Sequence, residues 1–285
     1  MQRIDLHTHT TFSDGTQRPE ELVALAREIG LSALAITDHD TCEGVPYAVT
    51  ACSAPLRVIR GCELSATTMY GELHILGLFI PDTPSPLDGI MARLREKRKR
   101  RNERIVEKLC ALGLPIAMEE VLAMAGCGTV GRPHIARLLF KKGYVVSLKE
   151  AFTRYIGKDG PAFVPKEAFS PEEAVSSLAR CGATVCLAHP FLYHYPESWL
   201  FATIKNLMPL GLDALEVWHT EHSDSDMRKA REWAQTLGLG ESGGSDYHGL
   251  NKPGVHLGKG RGNLRIGIDV LFALEARRRA QGLAI

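Results

Sequence analysis

The sequence predicts an α/β fold in which a parallel sheet is covered by helices and interrupted by a purely helical block. Two observations support this prediction. Short apolar runs alternate with helical patterns at both ends of the chain, and no predicted strand occurs between residues 86 and 166. Apolar strands separated by helices are typical of parallel sheets, because helices cover both faces of such a sheet.

The composition is that of a globular protein. Of the 285 residues, 45% are hydrophobic and 24% are charged, which excludes a disordered, collagen-like or coiled-coil protein. Domains typically contain roughly 150 residues, so this length suggests two domains, although an α/β barrel of this length often forms a single domain. The formal net charge is +1, so any preference for anions must be local rather than a property of the whole surface.

The seven cysteines favour a reducing compartment. They are odd in number and form no CxxC pair, and several sit inside apolar runs, so we expect buried free thiols rather than a disulfide framework. They occupy positions 42, 52, 62, 110, 127, 181 and 186. The N-terminal segment MQRIDLHTHT lacks the apolar core of a signal peptide, and the longest apolar stretch is too short to span a bilayer. We therefore expect a cytoplasmic protein.

The first 80 residues predict four strands and an early helix. The strands are expected at residues 3–7, 32–37, 56–64 and 74–80. The helix is expected at residues 19–29, because Pro19 suits a first helical turn and Gly30 suits a helix end.

The middle of the chain predicts helices only, and alternation resumes after it. The middle helices are expected at residues 88–112, 118–125, 132–142 and 147–155. The later helices are expected at 171–181, 198–208, 224–237 and 268–280, with strands at 183–188, 214–218 and 239–243. We interpret residues 86–166 as a helical insertion that forms part of the substrate site, within a sheet domain made of residues 1–85 and 167–285.

Histidine and carboxylate side chains occur at the predicted strand ends. His7 and His9 have the i, i+2 spacing that places two side chains on one face of a strand. The other residues are His39, Glu63, His74, His189, Asp246 and His248. Strand ends on one face of a parallel barrel converge on a single site. This set of nitrogen and oxygen ligands suits Mn²⁺, Fe²⁺ or Zn²⁺, and a carboxylate that bridges two ions can help them to supply a hydroxide nucleophile.

A single histidine at a strand end is more often a capping or core residue than a metal ligand. The strength of the signal comes from the combination of motifs, because HxH, xDHD, a strand-end Glu, AHP and SDxH occur in one chain.

These motifs resemble those of the PHP family, which is named for polymerase and histidinol phosphatase and is related to the amidohydrolases. The resemblance rests on HTH at His7 and His9, FSDG at Asp14, TDHD at His39, GCELS at Glu63, His74, AHP at His189 and GSDYH at Asp246 and His248. It implies a distorted (β/α)₇ barrel that binds two or three divalent ions, commonly Mn²⁺, and hydrolyses phosphate esters.

The resemblance also implies three sets of ligands with Glu63 as a bridge. The first ion would be held by His7, His9, Glu63 and Asp246, the second by Glu63, His74 and His189, and the third by Asp14, His39 and His248. Asp246, His248 and Glu63 are the candidate catalytic residues. Asp38 and Asp40 flank a ligand, and orienting the ligands or capping a turn are equally compatible roles for them.

The motif Gly131-Arg132-Pro133-His134 in the insertion resembles a subgroup of the family. Its members remove the 3′-phosphate from nucleoside 3′,5′-bisphosphates, and some trim 5′-phosphorylated RNA from the 5′ end. The planar guanidinium group of Arg132 can donate two parallel hydrogen bonds to a phosphate, and His134 is another hydrogen-bond donor. Without the resemblance, a surface Arg and a helix-start His would be an adequate explanation.

Three further residues are candidates for binding the substrate. Arg101 and Asn102, in the basic run at residues 93–104, precede apolar helix positions and are expected to reach the site. His222, after the strand that ends in Trp218, is a candidate donor to the substrate.

We therefore expect a metal-dependent phosphatase that acts on the 3′-phosphate of nucleoside 3′,5′-bisphosphates such as pAp. Its partners would be a small nucleotide or short RNA, with no membrane and no obligate protein partner. Three alternatives stay open. A histidinol-phosphate phosphatase is disfavoured because a monophosphate needs only one anion clamp, whereas a 5′→3′ exoribonuclease is compatible with the same site. A non-enzymatic RNA-binding module is opposed by the complete ligand set and by the lack of aromatic residues within the basic run.

Overall fold

The computed structural model describes residues 2–82, 87–125, 130–165 and 169–285. Within these ranges, seven strands form one sheet in sequence order. The strands are β1 (Arg3–Asp5), β2 (Leu31–Ile36), β3 (Arg57–Thr67), β4 (Glu72–Leu78), β5 (Thr184–Leu187), β6 (Leu212–His219) and β7 (Gly240–Gly244). The helices are α1 (Pro19–Glu28), α2 (Val45–Ala51), α3 (Leu87–Ala111), α4 (Met118–Ala125), α5 (Arg132–Lys141), α6 (Leu148–Ala151), α7 (Pro171–Arg180), α8 (Glu197–Leu207), α9 (Asp224–Leu237) and α10 (Ile268–Ala280).

Contacts between the first and last strands close the sheet into a distorted barrel. The Leu6 N–H donates to the Gly243 carbonyl at 3.2 Å, and the Asp246 N–H donates to the His7 carbonyl at 2.9 Å. Gly244 is required at this closure, since a Cβ there would lie 2.4 Å from the backbone nitrogen of His7. The prediction of an α/β barrel is confirmed.

The prediction of a wholly parallel sheet is wrong for β4. This strand pairs antiparallel with both β3 and β5, whereas the other strand pairs are parallel. Residues 68–71 form a tight turn between β3 and β4. A parallel connection needs a crossover of a dozen or more residues, so this short turn dictates a hairpin.

The interior of the barrel is apolar at one end and polar at the other. Ile4, Ala35 and Leu78 belong to a buried cluster that also contains Leu271 and Leu274 of α10. Because the Ile268 N–H donates to the carbonyl of Gln2, α10 covers the end at which β1 begins. Polar side chains occupy the opposite end of the barrel, where the parallel strands finish.

Helices α3 to α6 lie between β4 and β5 and have an apolar core of their own. Ile105 and Leu109 of α3 join Ile135 and Leu139 of α5 in this core. After α6 the chain continues into a single π-helical turn, Phe152–Ile156. Residues 86 and 166, the predicted limits of the insertion, lie outside the described ranges, so the division into domains stays a prediction.

Two further expectations concern cysteines and membranes. Six cysteines are free thiols, but the expectation that they are buried holds only for Cys62, Cys181 and Cys186, since Cys42 and Cys52 are half-buried and Cys110 is exposed. Cys127 falls outside the described residues. In the part of the chain that the structure describes, no helix combines the length and the apolar character needed to cross a bilayer.

Candidate active site

Nine predicted ligand side chains gather at the polar end of the barrel. They come from the ends of β1, β2, β5 and β7, from within β3 and β4, and from the loop after β1. Because β4 is antiparallel, its beginning rather than its end faces this site, which explains how His74 reaches it. These residues are His7, His9, Asp14, His39, Glu63, His74, His189, Asp246 and His248.

Glu63 lies at the centre of the cluster and is almost completely buried. Five histidines each have a ring nitrogen within 3.4 Å of a Glu63 oxygen. Oε1 contacts His7, His74 and His189, and Oε2 contacts His9 and His39. The distances are 3.4 Å to His7, 3.2 Å to His9, 3.0 Å to His39, 3.0 Å to His74 and 3.1 Å to His189. A carboxylate in this position can bridge two ions, as the ligand sets require.

Asp14 and Asp246 provide the carboxylates on the other side of the cluster. The Nε2 atom of His248 lies 3.1 Å from Asp14 Oδ1, and Asp14 Oδ2 lies 4.0 Å from His39 Nε2. Asp246 Oδ1 lies 3.3 Å from His9 Nε2. The ligand atoms of His9, Asp14, His39 and His248 all lie within 4.8 Å of one another, as do those of His7, His9 and Asp246.

Unpartnered polar atoms indicate that this cluster fits divalent cations. Seven of its buried nitrogen and oxygen atoms lie close to carboxylates or imidazoles but form no hydrogen bond of suitable geometry with the described residues. These atoms are His7 Nε2, His9 Nε2, Asp14 Oδ1, His39 Nδ1, Glu63 Oε2, His74 Nδ1 and His189 Nδ1. Buried polar atoms without a partner are costly in a folded protein. Ions bound at these atoms would satisfy them.

The carboxylates and imidazoles of the cluster shift one another's pKa values. Burial alone would lower the pKa of His9 and of His74, but the neighbouring carboxylates outweigh it and raise both values to about 9. Burial opposes ionisation of Glu63, yet the surrounding imidazoles hold its pKa well below the usual range. The carboxylates therefore favour positive charge at the centre of the cluster, which divalent ions would supply when bound.

Two buried carboxylates outside the cluster hold its loops in place. Asp38 accepts hydrogen bonds from the Thr10 N–H at 2.7 Å and from the Ser13 hydroxyl at 2.6 Å, which fixes the loop that carries Asp14. Asp5 accepts hydrogen bonds from the N–H and the hydroxyl of Ser245 at 2.8 and 2.5 Å. Of the two roles considered for Asp38, these contacts agree with orienting the ligands.

Sequence reasoning missed three residues that contact predicted metal ligands, namely Glu216, His219 and Lys252. Glu216 lies fully buried in β6 and its Oε1 lies 3.0 Å from His7 Nδ1. Asp246 Oδ2 contacts the ammonium group of Lys252 and lies 3.2 Å from His219 Nε2. Two signals could have found them: a carboxylate inside the apolar strand β6, and a histidine at the end of that strand.

A cavity of about 170 Å³ adjoins the cluster on the side of the insertion. Its lining includes the metal-cluster residues Asp14, His39 and His74, the carboxylate of Glu72 and three arginines. The arginines are Arg98 and Arg101 of α3 and Arg132 of α5. Arg98 also contacts Asp40, and the Oδ1 of Asp40 accepts the Ser65 N–H at 2.9 Å.

The arginine cavity has the properties of an anion site. Burial lowers the pKa of Arg101 to about 10, and the positive charges of Arg132 and Arg98 add to this effect. Arg101 Nε and the Ser65 hydroxyl are buried with no hydrogen-bond partner among the described residues. The guanidinium carbon of Arg132 lies 6.0 Å from the centre of the Phe152 ring. A bound anion would satisfy these donors and relieve the repulsion.

Three other predicted substrate residues are absent from the lining of this cavity. Asn102 donates to the Val130 carbonyl at 2.9 Å and lines a neighbouring pocket. His134 accepts the Gly131 N–H at 3.0 Å and faces a separate groove. His222 is buried, with its Nδ1 2.9 Å from the Val217 carbonyl. Their roles in binding the substrate stay predictions.

Comparison with known proteins agrees with this site. The chain is 33% identical over 258 residues to the 5′-3′ exoribonuclease Rnm of Escherichia coli strain K12, a match that covers 90% of this chain and 88% of that protein. It is 30% identical over 262 residues to the 3′,5′-nucleoside bisphosphate phosphatase of Chromobacterium violaceum, which covers 90% of this chain and 91% of the relative.

Solved structures agree as well. A metal-dependent phosphoesterase from Bifidobacterium adolescentis superposes with a TM-score of 0.85 at 31% identity and covers 97% of this chain and 96% of that chain. An amidohydrolase from Chromobacterium violaceum, solved with bound sulfate, gives a TM-score of 0.84 at 29% identity, with 96% of each chain covered. The model of the PHP domain matches residues 5–153, and with the relatives and the geometry of the site this shows that the chain belongs to the PHP family.

Proposed function

We propose that this protein is a metal-dependent phosphatase that removes the 3′-phosphate from nucleoside 3′,5′-bisphosphates. The observation that carries the proposal is the arginine cavity next to the metal cluster, because a substrate with two phosphates needs two anion sites. The cluster would bind the phosphate that is cleaved. Arg98, Arg101 and Arg132 would bind the 5′-phosphate, which does not react.

Divalent ions held by the cluster would lower the pKa of water and neutralise charge on the phosphoryl oxygens. The protein's own residues would then orient the substrate and handle one proton. The oxygen of water bonds to phosphorus while the bond from phosphorus to the 3′-oxygen breaks, so the water loses a proton and the 3′-oxygen gains one. Burial opposes ionisation of Asp246, but Lys252 and His7 hold its pKa well below the usual range. Asp246 is therefore ionised but weakly basic, and its position within the cluster is what makes it the candidate acceptor for the proton of water.

A second activity, 5′→3′ exoribonuclease, is favoured by the names of several relatives that are 32–33% identical. It would need no change in chemistry. Attack on the phosphodiester that follows the first nucleotide releases that nucleotide through its 3′-oxygen. The phosphate stays on the shortened RNA as a new 5′-phosphate, which the arginine cavity could bind in the next cycle.

The proposal is tested by phosphate release from a panel of substrates. The panel comprises a 3′,5′-bisphosphate, its two monophosphates, histidinol phosphate and p-nitrophenyl phosphate. We expect the bisphosphate to be strongly preferred. Arg132→Ala should reduce kcat/KM for it by about 10²-fold, as for the loss of a charge-assisted contact, and should affect p-nitrophenyl phosphate far less.

Arg100→Ala provides a matched control, because Arg100 lies on the exposed side of α3 with Glu96 as its partner. Equal losses on both substrates in Arg132→Ala would place Arg132 at the reacting phosphate or in the fold. A lack of preference for the bisphosphate would refute the proposal and favour histidinol phosphate or another monoester.

A further inference from the structure

A second groove beside the active site takes no part in the hydrolysis proposed for a bisphosphate. It encloses about 690 Å³, and its lining includes Phe12, Arg18, Tyr47, His134, Arg137 and Leu250. We call it the Phe12–Tyr47 groove. A volume of this size lies within the range of sites that hold a small molecule or a nucleotide.

The groove begins where the arginine cavity ends. Asp14 lines the cavity and Gly15 lines the groove, while Pro133 lines the cavity and His134 lines the groove. The two spaces therefore adjoin on either side of the loop that carries Asp14. A chain held by its 5′-phosphate in the arginine cavity would reach the groove past the loop that carries Asp14.

An aromatic pair provides a stacking surface in the groove. The rings of Phe12 and Tyr47 lie 5.2 Å apart at an interplanar angle of 31°. Tyr47 is 51% exposed and Leu250 is 83% exposed, so apolar surface is available to a ligand at the edge of the groove. Nucleobases bind to such surfaces without strong sequence preference, since every base has a π-face.

The charges in the groove complement a phosphodiester backbone. Arg18 Nη2 lies 3.2 Å from Glu20 Oε1, so these two charges offset each other, and Arg137 is the guanidinium in the lining that a phosphate would contact. Arg137 contacts the side-chain carbonyl of Asn251, and Asn251 in turn donates to the backbone carbonyl of Asp14 at 2.5 Å. This chain of contacts links a cation in the groove to the loop of a metal ligand.

We propose that the Phe12–Tyr47 groove binds the nucleotide that follows the scissile phosphate of a single-stranded, 5′-phosphorylated RNA. The base stacks on Phe12 and Tyr47, and Arg137 binds the next phosphate. This assignment rests on the proposed function, because it assumes that the arginine cavity holds the 5′-phosphate. A bisphosphate ends at the cleaved phosphate and leaves the groove empty.

The test compares kcat/KM for a 3′,5′-bisphosphate and for a 5′-phosphorylated trinucleotide. Tyr47→Ala should reduce the ratio of the trinucleotide value to the bisphosphate value by about tenfold or more, the effect expected for one lost stacking contact. Tyr47→Phe keeps the ring and should restore the ratio. Arg137→Met should lower the ratio as well, and its effect should diminish at high salt.

Two exposed residues far from the groove serve as controls. Phe272→Ala on α10 and Arg104→Met on α3 remove an aromatic ring and a cation, and neither should change the ratio. The assignment is overturned if the wild-type enzyme cleaves the bisphosphate but not the trinucleotide, or if Tyr47→Ala leaves the ratio unchanged. If the wild-type enzyme cleaves neither substrate, the proposed function fails and the groove assignment fails with it.

The groove could instead be covered by a second copy of this chain. Sedimentation of the wild-type protein and of Tyr47→Ala tests this alternative. A wild-type dimer that dissociates in Tyr47→Ala would assign the groove to that second copy and overturn the proposal. The same sedimentation behaviour in both proteins is the expected result.

Discussion

Glu216 and His7 form a buried pair in which the carboxylate lies 3.0 Å from Nδ1 and leaves Nε2 directed at the metal cluster. The other oxygen of Glu216 accepts the His189 N–H at 2.7 Å. A single carboxylate thus holds one ligand by its ring and another by its backbone. Partners of this kind set the orientation and the basicity of metal-binding histidines.

We predict that Glu216→Gln weakens metal binding by about 10- to 100-fold, because an amide keeps the shape of the side chain but loses its charge. Titration of the metal-free protein with Mn²⁺ measures this affinity. Glu241→Gln on the neighbouring strand β7 is the control, since Glu241 pairs with Arg231 outside the site. Unchanged affinity in Glu216→Gln would show that Glu216 has no influence on the metal site.

Asp246→Asn and His9→Asn should each lower kcat by several orders of magnitude, because each change removes a charge or a ligand from the centre of the cluster. Chelation should abolish activity in the wild-type protein, and added Mn²⁺ should restore it. The measurement is phosphate release from the preferred substrate at saturation. Turnover close to the wild-type rate in metal-stripped protein would contradict a metal-dependent mechanism.

His134 should make stability depend on pH. Burial lowers the pKa of His134 below its ordinary value of 6.5, so the unfolded chain binds a proton at a higher pH than the folded protein does. Its contribution to the free energy of unfolding is therefore present above pH 6.5 and declines as the pH falls towards the lower folded pKa.

The measurement is the free energy of unfolding of the wild-type protein and of His134→Gln between pH 5 and pH 8. Other histidines also titrate in this interval, so the difference between the two proteins isolates His134. We expect the advantage of the wild-type protein over the variant to shrink as the pH decreases. A difference that stays constant with pH would show that His134 keeps its ordinary pKa.

No cysteine should be essential for activity. Contact with Cys42 and burial hold the pKa of the Cys62 thiol well above its usual range, so Cys62 stays an uncharged and unreactive core residue. Cys62→Ser should retain kcat within about threefold and lose stability of about 1–3 kcal/mol, the usual cost of placing a hydroxyl group in an apolar core. Kinetics and denaturant unfolding measure the two effects.

Alkylation of the exposed thiol of Cys110 should leave activity unchanged. Complete inactivation by thiol reagents, with the fold and the metals intact, would contradict this prediction for the cysteines as a group.

Local patterns in the sequence predicted the alternating strands and helices and the candidate ligands at the strand ends, and the resemblance to the PHP family added the barrel and Asp14. Helices α4, α9 and α10 begin and end at the predicted residues, because caps and apolar periodicity are local properties. The i, i+2 spacing of His7 and His9 placed both rings on one side of a strand. The motif at each strand end then supplied residue types that bind divalent ions.

Only the tertiary structure decided how these pieces meet. Strand β4 pairs antiparallel with β5, Glu216 contacts His7, and Arg98 lines the same cavity as Arg132. Each of these contacts joins segments that are far apart in the chain. Sequence spacing carries no information on such contacts, since they depend on the register of packed strands and helices. The sequence by itself determined which side chains could bind metals and phosphate. Packing decided that Arg98 and Ser65 line the anion cavity, whereas His134 faces the groove beside it.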